Sequence, residues 1–193
     1  MARPAQFERD DVLEKAMQAF WDQGYNATSM ASLVDATSLK PGSIYAAFGS
    51  KEGLFLAALD HYAQQSVARI KRALADADTP LQGIRGFFLS MGREAAGEHA
   101  GRSCLLVNTV LEISRQNEMV QKRVNRHLAD IEALFLHALK TAQANGELLP
   151  DKDPKALAAF LMTSIWGLRV LGGTKPAPAR TKAVAKQLLT LLD

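Results

Sequence analysis

Residues Thr28 to Lys51 read TSMASLVDATSLKPGSIYAAFGSK, and this stretch decides the architecture. It predicts two short helices, a tight turn between them and the start of a third helix. Thr28 is placed to cap the first, because its hydroxyl can accept from an unpaired N–H of the opening turn. Met30, Leu33 and Val34 then recur at helical spacing on one face. The apolar pattern stops at Asp35-Ala36-Thr37-Ser38. Pro41 suits the first position of the next helix, Ile44, Tyr45 and Phe48 supply its apolar face, Gly49 closes it and Ser50 caps the helix that follows.

Two short helices joined this closely form a DNA-reading unit when the second lies in the major groove. The start of the second helix carries Lys40, Pro41, Gly42 and Ser43, all small or cationic, so backbone can approach base edges and phosphates. Tyr45 can turn its ring inward or send its hydroxyl to a phosphate. Lys51 sits in the first turn of the following helix, where free N–H groups already favour an anion. From Ala36 to Lys51 there are two lysines and no acid. Spacing alone also accommodates an ordinary helical hairpin packing a core.

The stretch resembles the DNA-binding head of the tetracycline-repressor family of bacterial transcription regulators. The likeness is carried by Phe20, Gly24, Tyr25, Thr28, Ser29, Leu33, Val34, Gly42, Ser43, Ile44, Tyr45, Phe48, Ser50, Lys51 and Leu54, over roughly the first third of the chain. It implies DNA contacts from Thr28, Ser29, Lys40, Pro41, Gly42, Ser43, Tyr45 and Lys51. Three positions depart from the common pattern. Ser38 stands where a turn glycine is frequent, so a left-handed backbone there costs about 1–2 kcal/mol. Lys40 stands where a capping Ser or Asn is usual, and Ala47 where many members have His.

Outward from this head, the 193 residues are 48% hydrophobic and 22% charged, enough for a small head and a larger body. No alternating β-branched run reads as a strand. The expected fold is all-α, about nine helices, with a three-helix helix-turn-helix head at 1–50 and a helical bundle for ligand binding and dimerisation at 51–193. The net charge of +3 does not come from the head. Met1 to Lys51 holds Arg3, Arg9, Lys15, Lys40 and Lys51 against Glu8, Asp10, Asp11, Glu14, Asp22 and Asp35, so only the local patch argues for DNA. The single cysteine excludes an internal disulfide and suits a reducing cytoplasm. Nothing reads as a secretory leader. The charge-free apolar stretch from Ala156 to Leu168 is shorter than the ~20 residues that span a bilayer, so no membrane partner is expected.

The tail Met1 to Gln6 carries Arg3 and Pro4 and can serve as a DNA-reaching arm. A first helix runs from about Arg9 to Gln23, with Leu13, Met17 and Phe20 inward, and Gly24 ends it. The fourth runs unbroken from Lys51 to about Ala75. Thr79 and Pro80 open a fifth, Gly97 to Gly101 is a loop, and CLLVNTVLEIS (104–114) is a sixth, with Ser103 able to cap it. Asn117 caps a long seventh that Asn145-Gly146 ends. Asp153-Pro154 opens an eighth, and a ninth runs from about Arg180 to Leu192.

The body carries more apolar surface than one thin bundle needs. The resemblance implies a small-molecule pocket there, its occupant changing the spacing of two heads; the candidate lining is Phe88, Met91, Cys104, Leu106, Asn108, Phe135, Met162 and Trp166. Ordinary core packing explains the same residues one by one. The eighth and ninth helices are apolar on more than one side, which calls for partners on several sides. A two-fold homodimer through them, with Ile165, Trp166, Val184, Leu188 and Leu192 at the interface, supplies those partners.

No nucleophile elbow, phosphate loop, zinc-protease motif or paired cysteines occur, so neither catalysis, a cofactor nor a metal site is expected. His127 and Asp130, three apart on one helix, read as surface polarity. Cys104, in GRSCLLVN, faces a helix N-terminus beside Arg102, a setting that favours a thiolate. The segment resembles an electrophile-responsive branch of the family, in which Lys175 matches a lysine that partners the cysteine. A small buried thiol chosen for packing fits equally. The expectation is a ligand-responsive, cytoplasmic, homodimeric DNA-binding regulator, most simply a repressor of a palindromic operator that is released by a small molecule or an electrophile. The competing reading is a helical small-molecule binding protein or enzyme whose head does not bind DNA.

Overall fold

The computed structural model describes residues 8–94, 103–113 and 116–193, all helical or connecting. In chain order the helices are α1 (Arg9–Gln23), α2 (Met30–Thr37), α3 (Pro41–Phe48), α4 (Lys51–Ala75), α5 (Pro80–Glu94), α6 (Leu105–Glu112), α7 (Glu118–Ala144), α8 (Pro154–Gly173) and α9 (Pro178–Leu189), the last tightening into a 3-10 turn at Thr190–Leu192. The expected tail at 1–6, the loop at 97–101 and the end of the expected sixth helix at Ser114 lie outside the described residues.

Capping chemistry explains most helix ends. Ser50 Oγ accepts from Gly53 N at 3.0 Å, Thr79 Oγ1 from Gln82 N at 3.3 Å, Asn117 Oδ1 from Val120 N at 3.1 Å and Asp153 Oδ1 from Lys155 N at 2.9 Å. Each satisfies one of the N–H groups that a helix start leaves unpaired. Gly24 (φ +81°) ends α1 and Gly49 (φ +79°) ends α3, both in a backbone region that glycine enters without strain. Ser38 ends α2 at φ 59°, ψ 18°, the left-handed conformation expected to cost a non-glycine residue about 1–2 kcal/mol.

Packing groups the chain into two compact units, one of Met1–Gln65 with Leu105–Asn125, the other of Ser66–Cys104 with Arg126–Asp193. Helices α4 and α7 each contribute to both. In the first unit Val12, Ala16, Met17 and Phe20 of α1, Leu33 of α2, Ile44 of α3 and Leu54, Phe55, Ala58 and Leu59 of α4 are buried. Phe20 meets Phe55 edge-on at 4.9 Å between ring centroids. Leu105, Leu106, Val120 and Val124, from α6 and the start of α7, are equally buried, and each such side chain contributes roughly 1.5–3 kcal/mol relative to exposure. Polar ties accompany them: Asn117 Nδ2 donates to Glu52 Oε2 at 3.1 Å, and Arg123 pairs with Asp60.

In the second unit α5, α8 and α9 pack mutually. Phe87, Phe88 and Phe135 form an aromatic cluster with centroids 5.4–5.9 Å apart. Gly92 lets α5 and α9 come close, since a Cβ there would stand 2.8 Å from Ala185 Cβ. At the same crossing the buried Thr181 hydroxyl donates to Gly92 O at 2.8 Å.

Two sequence expectations are corrected. Ser29, not Thr28, caps α2: Ser29 Oγ accepts from Ser32 N at 3.0 Å. Thr28 is fully buried and its hydroxyl donates to Gly24 O at 2.5 Å. Adjacent hydroxyls gave the same sequence signal, and burial of the Thr28 methyl decides between them. The ninth helix starts at Pro178 rather than Arg180 and loses α-helical geometry after Leu189, which rotates the last three residues relative to a continuous helix.

Candidate nucleic-acid interface

Helix α3 is anchored by Ile44 and open over its first turn, with Ala47 and Phe48 half-buried at its end. Ile44 is its one buried residue, while Pro41, Gly42, Ser43, Tyr45 and Ala46 are exposed, Tyr45 by half. Pro41 occupies the first turn and supplies no N–H. Lys40, at the N-cap, is exposed and makes no side-chain capping bond. A Cβ at Gly42 would meet nothing within 4 Å. Packing within the chain does not demand glycine there, and its lack of a side chain leaves the backbone open to close approach. Turn geometry upstream is fixed locally: Thr37 Oγ1 donates to Leu33 O at 2.6 Å.

Of the other expected contact residues, Ser29 is exposed and caps α2. Thr28 points inward, so its side chain supports the turn and presents nothing to solvent. Lys51, in the first turn of α4, lies with Nζ 4.4 Å from the Tyr25 ring centroid. Burial pushes the Lys51 ammonium below its ordinary pKa, and the nearby Glu112 carboxylate opposes that shift. Burial, reinforced by Glu52, raises the Tyr25 phenol. Arg9, from α1, stacks its guanidinium 4.8 Å from the Phe48 centroid.

Sequence reasoning missed Glu112. This residue ends α6, yet its Oε2 accepts from Tyr25 N at 3.0 Å and its Oε1 from Asn26 N at 2.7 Å. The tie joins residues 86–87 apart in sequence, and no local pattern announces it.

The residues expected to line a pocket do not fall in one compact unit. Phe88, Met91, Cys104, Phe135 and Met162 are buried in the second, with Phe88 and Phe135 in ring contact. Leu106, buried, and Asn108, half-buried, belong to the first. Cys104 immediately precedes α6 and is 6% exposed. Trp166 is half-buried, but its Nε1 is shielded from solvent and has no hydrogen-bond partner. A buried unpaired donor costs on the order of 1–3 kcal/mol.

On the second unit a groove of 470 Å³ runs between α8 and α9, lined by Phe160, Ser164, Gly167, Leu168, Val184, Gln187, Leu188, Thr190 and Leu191. Phe160, Val184 and Leu191 on its walls stay 37–45% exposed. Of the expected interface residues, Val184 stands open, Trp166 is half-buried, and Ile165, Leu188 and Leu192 pack largely within the chain. α8 is also long and apolar enough to cross a membrane by length and composition. The shorter stretch read from sequence stops at Leu168, before Arg169, whereas the helix runs on to Gly173. Ala158, Leu161, Met162, Ile165 and Leu168 of this helix are nonetheless buried against the rest of the unit.

Known proteins share both halves of this arrangement. Residues 12–58 match the model of bacterial regulatory proteins of the tetR family, and residues 80–185 match the tetracyclin repressor-like C-terminal domain. The HTH-type transcriptional repressor ComR of Escherichia coli K12 is 32% identical over 169 residues, covering 87% of this chain and 80% of ComR. The chain belongs to the tetR family. A solved structure of the TetR-family regulator CifR, a cysteine mutant complexed with a 26-bp double-stranded operator, superposes with a TM-score of 0.88 at 32% identity, over 100% of both chains. A TetR regulator from Chloroflexus aurantiacus gives 0.85 at 27%, over 98% of this chain and 96% of that one. This tetR-family chain is thus a DNA-binding transcriptional regulator and not an enzyme, with operator DNA as its partner.

Proposed function

We propose that the chain acts in the cytoplasm as a two-fold homodimeric repressor whose α3 helices enter successive major grooves of a palindromic operator. The observation that carries the reading is α3 itself: exposed over its first turn, glycine where a side chain would meet open space, exposed Lys40 at its start and half-exposed Tyr45 one turn on. Lys40, Pro41, Gly42, Ser43 and Tyr45 approach bases and phosphates, Ser29 and Lys51 anchor the backbone, and Thr28 acts from inside through the turn it braces. Residues 1–50 form the DNA-binding domain and 51–193 the effector and dimerisation domain. The apolar groove between α8 and α9 is covered by the same groove of a second copy, with Phe160, Val184 and Leu191 at the contact.

An effector bound in the body antagonises DNA binding, and reciprocity then requires operator to weaken effector binding by the same factor. Phe88, Met91, Cys104, Phe135, Met162 and Trp166, all of the second unit, are the residues assigned to it. The unpaired Trp166 N–H favours an effector with a hydrogen-bond acceptor. A finer reading makes the effector an electrophile that alkylates or oxidises Cys104, with Lys175 as its neighbour in function. Full modification of Cys104 by a maleimide with operator affinity intact would exclude it.

The contact assignment is tested by the double variant Lys51→Ala, Tyr45→Ala in fluorescence anisotropy across a salt series. Lys51→Ala alone weakens all sequences alike and lowers the salt slope by about one charge. The double variant loses operator affinity further; unchanged affinity overturns the assignment.

A further inference from the structure

The carboxylate of Glu112 is built into the head. The α1–α2 turn leaves the N–H groups of Tyr25 and Asn26 without helical partners, and both aim at the Glu112 oxygens at 3.0 and 2.7 Å. Successive backbone N–H groups arranged this way make an anion-binding concavity, and here the anion is supplied by the chain itself. Gly24 is part of the arrangement: its φ of +81° favours glycine, and a Cβ would stand 2.9 Å from Glu112 Oε2 and 3.2 Å from Oε1, so a side chain there would push the carboxylate back. Tyr25 follows directly, and its ring carries the Lys51 ammonium at 4.4 Å. The same turn reaches α2 through Thr28, whose hydroxyl is bonded to Gly24 O. One side chain from α6 therefore fixes the entry to the helix-turn-helix and sits beside the cation proposed to hold a phosphate.

We propose that Glu112 is a positioning residue for operator recognition, holding the α1–α2 turn, and through it Tyr25 and Lys51, in the geometry that reads DNA. It acts in two opposed ways. Bonding the turn orients the head and raises affinity for the correct sequence. Its negative charge beside Lys51 reduces the attraction for phosphate that every sequence shares. Glu112 thus raises the ratio of specific to non-specific binding, and any displacement of the end of α6 is felt at the head through these two bonds. The proposal rests on the assignment of the head as the DNA-reading surface.

The test uses the full-length protein, a duplex carrying its footprinted operator and a scrambled duplex of equal length. Glu112→Ala removes both acceptors, and Glu112→Gln leaves a single acceptor oxygen with no charge. We expect Glu112→Ala to lower operator affinity roughly tenfold, the scale of about one lost charge-assisted hydrogen bond in a half-exposed setting, while affinity for the scrambled duplex stays the same or rises. Glu112→Gln follows in the same direction with a smaller drop, and Glu112→Asp, which keeps the charge, recovers part of the ratio. Should Glu112→Ala fail to fold, Glu112→Gln carries the test alone. Operator and scrambled affinities falling by a common factor would make Glu112 merely structural, and both staying at their wild-type values would remove it from recognition altogether. Either result is distinct from failure of the contact assignment, which is judged on the Lys51 and Tyr45 variants with Glu112 in place.

Discussion

At α3 the residues left exposed are Pro41, Gly42, Ser43 and Tyr45; at α8 and α9 they are Phe160, Val170, Val184 and Leu191. The first set is small, polar or amphipathic and stands on a unit whose polar groups are tied across long sequence distances, at Glu112, Asn117 and Arg123. The second set is apolar, and Phe160, Val184 and Leu191 of it line a groove. Water solvates the first at little cost, and a phosphate-rich partner replaces that water by charge and hydrogen bonds. The second gains by leaving water, at roughly 25 cal/mol per Å² of apolar surface. One surface is thus suited to exchanging partners with salt and sequence, the other to one lasting apolar partner, which the proposed dimer supplies.

Charging the apolar face is the strongest way to break this contrast. Val184→Glu with Leu191→Glu places two carboxylates per chain in the proposed interface. We expect dimer affinity to fall roughly a hundredfold or more. Operator affinity should fall with it, because each head then binds without the effective concentration its twin supplies. Sedimentation velocity measures the first effect. An unchanged dimer would move the interface off α8 and α9.

A smaller effect comes from the support beneath that face. Gly92→Ala sets a methyl against Ala185 at 2.8 Å. Overpacking of this kind costs about 1–3 kcal/mol, against about 1 kcal/mol gained from replacing a helical glycine. The net expectation is a lower melting temperature with a retained α3 surface, read by thermal denaturation beside operator binding at low temperature. A higher melting temperature would mean that α5 and α9 separate at little cost.

The smallest effect belongs to the first unit and sharpens its polar character. Burial alone would raise the Glu14 carboxyl, but hydrogen bonds from Gln18, Gln65 and His61 outweigh it and hold Glu14 below the usual carboxylate range. A depressed carboxylate contributes stability that is complete above its unfolded-state pKa and is lost as pH falls through its folded-state pKa. Glu14→Gln should therefore melt slightly below the wild type at neutral pH, and the gap should close on acidification below the ordinary carboxylate range. A gap constant with pH would show that packing, not charge, is what Glu14 supplies.

Most of the fold was legible because its signals are local. Caps at Ser50, Thr79 and Asn117, the helix openings at Pro41, Pro80 and Asp153-Pro154 and the glycine at 24 each act within four residues, and all read correctly from the chain, whereas Pro178 at the start of α9 did not. The departures arise where one position changes a helical face or where distance hides the partner. Thr28 and Ser29 are adjacent hydroxyls, and only the buried core chose which one caps. Leu191 and Leu192 are adjacent leucines, and the 3-10 turn puts Leu191 at 45% exposure and Leu192 at 2%. Glu112 reads as a helix-end acid, unremarked at its own position, until tertiary structure sets it against a turn 86 residues earlier. Exposed α3 was legible as a candidate interface because small residues beside a cation have no core role to play.

Hydroxyl-radical footprinting of the full-length protein on its own upstream DNA tests the central claim most directly. The account predicts two protected half-sites related by a dyad, their centres a whole number of helical turns apart, with protection at both lost together in the Val184→Glu, Leu191→Glu variant. A single asymmetric protected patch, or protection that does not depend on sequence, would contradict it.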